Sequence, residues 1–159
     1  MKHTLSVLVE NKPGVLTRVA GLFARRGFNI ESLAVGQSED PRLSRITITI
    51  DGAERPIDQV MKQLHKLINV VKIRNLQPSG MVAEELMLVK VNAEGEKRAE
   101  VLQVAEVFKA KIVDVDRRTV VLRVVGSTQK LEAFLELLKP LGVLEIVRTG
   151  IIAIARGKG

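Results

Sequence analysis

The stretch that decides the fold of this chain is Glu10-Asn11-Lys12-Pro13-Gly14-Val15-Leu16, and a second stretch, Gly27-Phe28-Asn29-Ile30-Glu31-Ser32-Leu33, follows it about one helix later. Alternating apolar residues precede the first stretch, and apolar residues at helical spacing follow it. The pattern predicts a corner from a strand into a helix that begins just after Gly14. Because Pro13 fixes its own φ and Gly14 lets other groups come close, we expect the free N–H groups of Gly14 and Val15 to face open space at the positive end of the helix.

This corner has the chemistry to bind a small zwitterion. A helix N-terminus suits a carboxylate. Asn11 at the end of the first strand and Asn29 at the start of the second each offer an amide carbonyl that accepts hydrogen bonds from an ammonium group. The same residues are also ordinary turn formers, and Asn29 could simply occupy a left-handed position after Gly27. From spacing alone, both interpretations stay open.

Composition is that of a globular protein. The 159 residues are 46% hydrophobic and 27% charged, with room for one medium domain or two small ones. The chain has no cysteine, which excludes disulfides and favours a cytoplasmic location. No N-terminal run resembles a signal peptide and no apolar run is long enough to cross a bilayer, so we expect neither feature. The net charge of +7 makes nucleic acid or an acidic partner a class to consider, although the basic residues are spread along the chain.

Turn residues and apolar periodicity predict a ferredoxin-like first half. The first helix should end at Gly27, and it is followed by strands over roughly 30–37 and 43–51, a helix from Pro56 and a strand over 70–74. This βαββαβ order is that of the ferredoxin-like fold, in which four antiparallel strands carry both helices on one face.

The second half repeats the order after a linker at 77–82, where Pro and Gly stand among small polar residues. Its predicted elements are strands over 85–92, 112–115, 119–125, 144–147 and 151–155, and helices over 97–108 and from a Ser127 cap to Pro140. We therefore predict an α+β protein with two ferredoxin-like domains, 1–76 and 83–159.

One face of the first sheet has no helix to cover it. Leu8 and Leu33 fall on positions that alternate away from Leu5 and Ile30, so this face is not uniformly polar. Because a domain of this size has a thin core, we expect some other surface to cover this face, and we expect two copies of the chain to associate side by side or face to face in a twofold dimer.

Enzyme chemistry finds little support in the sequence. His3 and His65 are the only histidines, and neither has an obvious acid partner. Asp114 and Asp116 flank a predicted hairpin, where solvation explains them. RNA-binding modules share the βαββαβ order, but here the central strands lack the aromatic residues on which bases stack. A basic RNA-binding protein that contacts phosphates alone stays an alternative.

Several blocks resemble the small, regulatory subunit of acetohydroxyacid synthase, also called acetolactate synthase. They are residues 5–16, 27–33, 40–47, 63–67 and 85–91, and the similarity continues to Arg148-Thr149-Gly150 and Ala155-Arg156-Gly157. The Asn-Ile-Glu-Ser-Leu and Leu-Ser-Arg blocks together are specific to this family, whereas the ACT domain signal alone is widely shared.

The resemblance implies that residues 1–76 form an ACT domain, which binds valine where two such domains meet. Carried over position by position, the site would comprise Asn11, Gly14 and Val15 from one domain, Asn29 and Ile30 from the facing domain, and, as further candidates, Pro13, Gly36 and Gln59. Ala34 stands where family members often carry threonine, a departure that leaves one contact or the ligand preference open.

The resemblance also implies partners and cofactors. Residues 83–159 would help to activate a large catalytic subunit that carries thiamine diphosphate, magnesium and FAD, while this chain would hold no cofactor or metal and catalyse nothing on its own. Valine would act as the feedback inhibitor of branched-chain amino-acid synthesis through a homodimer or larger assembly of the chain. Another amino-acid-sensing ACT regulator is the alternative function.

Overall fold

The computed structural model describes residues 2–51 and 57–158. The first six elements are β1 (Lys2–Glu10), α1 (Val15–Arg25), β2 (Asn29–Gln37), β3 (Leu43–Asp51), α2 (Ile57–His65) and β4 (Val70–Leu76). They form an antiparallel sheet in the order β2-β3-β1-β4, so β2 and β4 are its edges. This is the predicted ferredoxin-like arrangement, which is confirmed. The predicted start of the second helix at Pro56 lies outside the described residues.

The core of this sheet lies on the face that carries α1 and α2. Strict alternation in β3 buries Ile46, Ile48 and Ile50 completely. The apolar residues of α1 that pack on the same core are Val15, Val19, Leu22 and Phe23. The sequence pattern therefore specifies both the strand and the helix face that it meets.

The helix α1 ends where its sequence predicts. Gly27 has a φ of +76°, its N–H donates to the carbonyl of Ala24 at 3.1 Å, and the N–H of Phe28 donates to the carbonyl of Phe23 at 3.0 Å. This pair of bonds is a Schellman cap, which needs a left-handed residue that glycine supplies without strain.

An irregularity in β2 overturns one expectation about the helix-free face of this sheet. The pairing of β2 with β3 shifts register between Ile30 and Ser32. As a result, Leu33 lies opposite Ile48 and packs against the core, so the prediction that it points away from the core is wrong. Leu8 does lie on the helix-free face, opposite Arg45, and is half-buried.

The next six elements repeat the order and the topology. They are β5 (Met81–Asn92), α3 (Lys97–Val107), β6 (Lys111–Val115), β7 (Thr119–Gly126), α4 (Thr128–Leu138) and β8 (Val143–Arg148), with sheet order β6-β7-β5-β8. Ser127 caps α4 as predicted, since its side chain accepts a bond from the N–H of Lys130 at 3.3 Å. A last strand, β9 (Ile152–Ala155), pairs with β5.

The chain divides into two compact units, which are Met1–Val82 together with Ile151–Gly159, and Ala83–Gly150. We call them the first and the second unit. From the sequence we predict that residues 151–159 belong to the C-terminal domain, whereas in the structure they group with the first unit. The assignment of separate functions to residues 1–76 and 83–159 stays a prediction.

The C-terminal segment, residues 151–158, lies on the helix-free face of the first sheet. The N–H of Ile151 donates to the hydroxyl of Ser32 at 2.7 Å, the N–H of Arg156 donates to the carbonyl of Gly80 at 2.9 Å, and β9 contacts β1. The chain itself thus covers part of the face that, from the sequence, we expect another surface to cover.

Candidate functional site

The corner between β1 and α1 presents an open helix N-terminus. Gly14 precedes α1 with a φ of +84°, and no heavy atom lies within 4 Å of the position that a Cβ would take there. No side chain caps the helix, and its first turn contains no acidic residue. The partial positive charge of this end is therefore not neutralised by the helix itself.

The backbone donors at this corner differ from the expectation in one respect. The N–H of Val15 donates to the carbonyl of Lys12 at 3.4 Å, a long bond that closes a turn, so it is not fully free. The helical ladder begins with the bond from Arg18 to Gly14 at 3.1 Å. Three backbone N–H groups lie before the start of this ladder, those of Gly14, Leu16 and Thr17. They have no helical carbonyl four residues earlier to accept a hydrogen bond from them.

The charged side chains beside the corner pair with each other. Lys12 Nζ lies 2.8 Å from Glu10 Oε2. The hydrogen bond from Lys12, followed by its charge, lowers the pKa of Glu10 below the usual range. Because this pair is internally neutral, it does not cancel the attraction of the helix N–H groups for an anion.

Asn11 is held in place by its backbone and by one side of its amide. Its N–H donates to the carbonyl of Arg42 at 2.8 Å, and its Nδ2 donates to the carbonyl of Pro41 at 3.3 Å. This orientation leaves Oδ1 as an exposed acceptor, as the sequence analysis expected, and among the described residues it accepts no bond.

Asn29 and Ile30 lie at the other end of the sheet. Asn29 lies opposite Asp51 of β3, and Asp51 in turn lies opposite Lys2 at the start of β1. Asn11, by contrast, follows the last residue of β1. A strand of nine residues separates these ends by about 26 Å. The structure therefore does not bring Asn29 and Asn11 together within one chain.

Two of the predicted site residues have side chains that pack against the core. Val15 is buried, and its side chain belongs to the core. Ile30 lies opposite Ile50 and packs against the same core. Their side chains hold the corner and the start of β2 in place. A ligand would meet only the main chain of Val15, whereas Ile30 is partly exposed.

The remaining candidates are at the surface. Pro13, Gly36 and Gln59 are exposed, and Gly36 lies opposite Arg45 on the edge strand β2, with open space at its Cβ position. Ala34 is half-buried opposite Thr47. No described contact joins Gln59 to the corner, so its place in the site stays a prediction.

Sequence reasoning missed a cavity of about 500 Å³ on the helix-free face of the first unit. Residues from four strands and from the C-terminal segment line it, and its polar groups include Ser6, Arg45 and Arg74. The sequence offered no signal for it, because these residues come together only through strand pairing.

Two kinds of structural feature are absent from the described part of the chain, a cluster of metal-ligating side chains and a long apolar helix. Within residues 2–51 and 57–158, no three His, Cys, Asp or Glu side chains are grouped so that they could hold a metal ion. In the same ranges, no helix has both the length and the apolar character needed to cross a membrane.

The fold and the open corner define a protein with an N-terminal ACT domain followed by a second ferredoxin-like domain. Residues 5–72 match the family of AHAS small subunit-like ACT domains, and residues 84–157 match the family of the small subunit of acetolactate synthase.

Individual relatives agree along the whole chain. The probable acetolactate synthase small subunit of Archaeoglobus fulgidus is 50% identical over 99% of this chain and 98% of its own, and the acetolactate synthase small subunit of Mycobacterium leprae is 49% identical over 98% and 92%. The crystal structure of the small subunit from Thermotoga maritima is 45% identical, has a TM-score of 0.91 and covers 100% of this chain and 99% of its own. The chain therefore belongs to the acetolactate synthase small-subunit family. Membership supports a regulatory role in the synthase and implies a large catalytic subunit as partner.

Proposed function

We propose that this chain is the valine-sensing regulatory subunit of acetolactate synthase in branched-chain amino-acid synthesis. It binds the large catalytic subunit in the cytoplasm, raises the activity of that subunit and transmits inhibition by valine. The catalytic subunit carries thiamine diphosphate, Mg²⁺ and FAD and performs the decarboxylation of pyruvate and the carbon–carbon bond formation. The regulatory chain contributes binding and regulation only.

This proposal rests on one observation. The two halves of the candidate site lie at opposite ends of the edge strand β2. Asn11 contacts the connection that follows β2, while Asn29 begins β2. When two edge strands pair antiparallel about a twofold axis, the start of each lies beside the end of the other. Such a dimer places Asn29 of one copy near the corner of its partner, so two copies complete a site that one copy cannot form.

The groups at this site suit both ends of a free amino acid. The N–H groups of Leu16 and Thr17 at the open helix end favour the carboxylate. The Oδ1 of Asn11 and the amide of Asn29 from the partner accept hydrogen bonds from the ammonium group. The Glu10–Lys12 pair is neutral, so these two side chains add no net charge beside the ligand, which fits a zwitterion.

Inhibition follows from linkage between the two subunits. Valine stabilises one arrangement of the dimer of regulatory chains, and the catalytic subunit is active with the other arrangement. A coupling free energy of about 1–3 kcal/mol is typical of such systems and is enough for substantial feedback. Discrimination against leucine and isoleucine is expected to be modest, since one methylene in an apolar pocket changes binding by about 1–3 kcal/mol.

Calorimetric titration of the full chain with valine, leucine, isoleucine and serine tests the proposal, together with activity of the complex reconstituted with the catalytic subunit. We expect valine to bind most tightly and to inhibit the complex, while the isolated chain has no synthase activity. Binding of a different amino acid with no response to valine would instead support another ACT-type sensor. No response to any amino acid would overturn the proposed function.

A further inference from the structure

The cavity on the helix-free face of the first unit combines concave shape with unbalanced positive charge. Its volume is about 500 Å³, within the range of small-molecule sites. The charged side chains in its lining are Arg45, Arg74 and Glu39, two guanidinium groups against one carboxylate. The C-terminal segment closes one side with Ala153–Ala155 and Gly157.

Arg74 is the unbalanced charge in this cavity. It lies on β4 directly opposite Ser6 of β1 and is half-buried. Within the described parts of the chain it has no hydrogen-bond or ion-pair partner. A charge removed from part of its water without a partner raises the free energy of the fold, and an anion in the cavity would offset that cost.

Arg45 and Ser6 extend the same positive region. Nη1 of Arg45 donates to the hydroxyl of Ser6 at 3.3 Å, and its Nη2 lies 3.3 Å from Oε1 of Glu39. Ser6 is buried, so its hydroxyl faces either protein or the cavity. The side chain of Glu39 is 81% exposed, which means that this single carboxylate can move away from Arg45 at little cost.

We propose that this cavity binds a small anion with a carboxylate or phosphate group, held by the guanidinium groups of Arg74 and Arg45 and by the hydroxyl of Ser6. The planar guanidinium matches both kinds of oxyanion. Leu76, which is buried beside Arg74 on β4, offers an apolar surface for the organic part of a carboxylate ligand. The site is separate from the open helix end, since it lies on the face of the sheet opposite α1 and does not need a second copy of the chain.

Titration of the full-length chain with inorganic phosphate and with malonate, followed by calorimetry and by melting temperature, tests the proposal. Arg74→Gln should weaken binding by about tenfold or more, because it removes a charged hydrogen-bond donor. Glu39→Gln should tighten binding, because it removes the carboxylate that competes for Arg45. Lys72→Gln is the matched control, since Lys72 lies on the same face of β4, is exposed and does not line the cavity.

If the wild-type chain binds phosphate more tightly than malonate, the ligand of this cavity carries a phosphate group, and the opposite preference indicates a carboxylate. The proposal is overturned if neither anion binds the wild-type chain, or if Arg74→Gln and Lys72→Gln weaken binding equally, which would indicate attraction by net charge alone. Valine titration of Arg74→Gln should match the wild-type chain, so failure of the anion site is distinguishable from failure of the proposed function.

Discussion

The two units share one topology but differ at the corner where the first strand meets the first helix. In the first unit, Asn11 donates from its amide nitrogen to Pro41 and keeps its Oδ1 exposed. In the second unit, Asn92 uses its Oδ1 to accept the N–H of Glu94 at 3.1 Å. Carboxylates of Glu94 and Glu96 precede α3, whereas the first turn of α1 has none.

This difference shows that the ferredoxin-like fold alone does not make an effector site. Glu94 and Glu96 before α3 and Glu100 in its first turn place negative charge near the positive end of that helix, so a ligand carboxylate is attracted less strongly there. At α1 the same helix end is open and unneutralised. The amino acid is therefore expected at the corner of the first unit and not at that of the second.

The largest effect is expected from Gly14→Asp. The new carboxylate would stand where we place the carboxylate of valine, and we expect the affinity for valine to fall by about 100-fold or more, since charged hydrogen bonds are lost and like charges meet. Calorimetry and inhibition of the reconstituted complex measure the change.

Gly95→Asp is the matched control for this prediction. Gly95 also has a positive φ, +61°, and open space at its Cβ position, and it lies at the equivalent corner before α3. Backbone strain and added charge are thus the same, but valine affinity should not change. An equal loss in both variants would show that strain, and not the ligand carboxylate, explains the result.

A smaller effect is expected at the start of the edge strands. Asn29→Ala removes a proposed acceptor for the ammonium group and should weaken valine binding by about tenfold, with activation of the catalytic subunit retained. Lys111→Ala changes the first residue of β6, the corresponding edge strand of the second unit, and should leave valine binding unchanged. Loss of activation together with valine binding in Asn29→Ala would point to misfolding, whereas unchanged valine affinity in this variant would count against the assignment.

The C-terminal caps of α1 and α3 differ in a way that stability measurements can resolve. Both helices end in a Schellman cap, but the left-handed residue is Gly27 in the first unit and Lys109, with a φ of +56°, in the second. Lys109→Gly should stabilise the chain by up to about 1 kcal/mol, and Gly27→Ala should destabilise it by about 1 kcal/mol. Shifts of melting temperature in opposite directions are the expected result, and shifts in the same direction would contradict it.

The smallest effect concerns the helix-free faces. Thr49 lies opposite Thr4 in the first sheet, and within the described residues its buried hydroxyl has no hydrogen-bond partner. In the second sheet, Leu86 and Val125 form an apolar pair on the corresponding face. Thr49→Val makes the first face more like the second and should raise stability by about 0.5–1 kcal/mol, measured by denaturant unfolding. A loss of stability would show that a bound water or ligand satisfies this hydroxyl.

Local patterns were enough to predict most of the fold. The alternation of β3 and the turn residues before it predicted a strand over 43–51 that the structure confirms with the same bounds. Gly27 and Ser127 marked a helix end and a helix start correctly, because capping depends on residues close in sequence.

Features that depend on distant residues escaped the prediction. The register shift in β2 that turns Leu33 inward is set by its pairing with β3, which the spacing of β2 does not encode. The C-terminal segment and the cavity with Arg74 depend on contacts between residues far apart in the chain, such as Ser32 and Ile151. The candidate site shows both cases, since its corner was visible in the sequence, whereas the separation of Asn29 from Asn11 became visible only in the sheet.

Mixing two impaired variants tests most directly whether two chains form the valine site. Gly14→Asp and Asn29→Ala chains, each with weakened valine binding, are combined in equal amounts under conditions that exchange subunits, and calorimetry counts the tight sites. If the corner comes from one chain and Asn29 from the other, each mixed dimer has one intact site, and about a quarter of all sites should recover the wild-type affinity. If both groups belong to a site within one chain, the mixture will recover none, and a valine site shared between two chains will be contradicted.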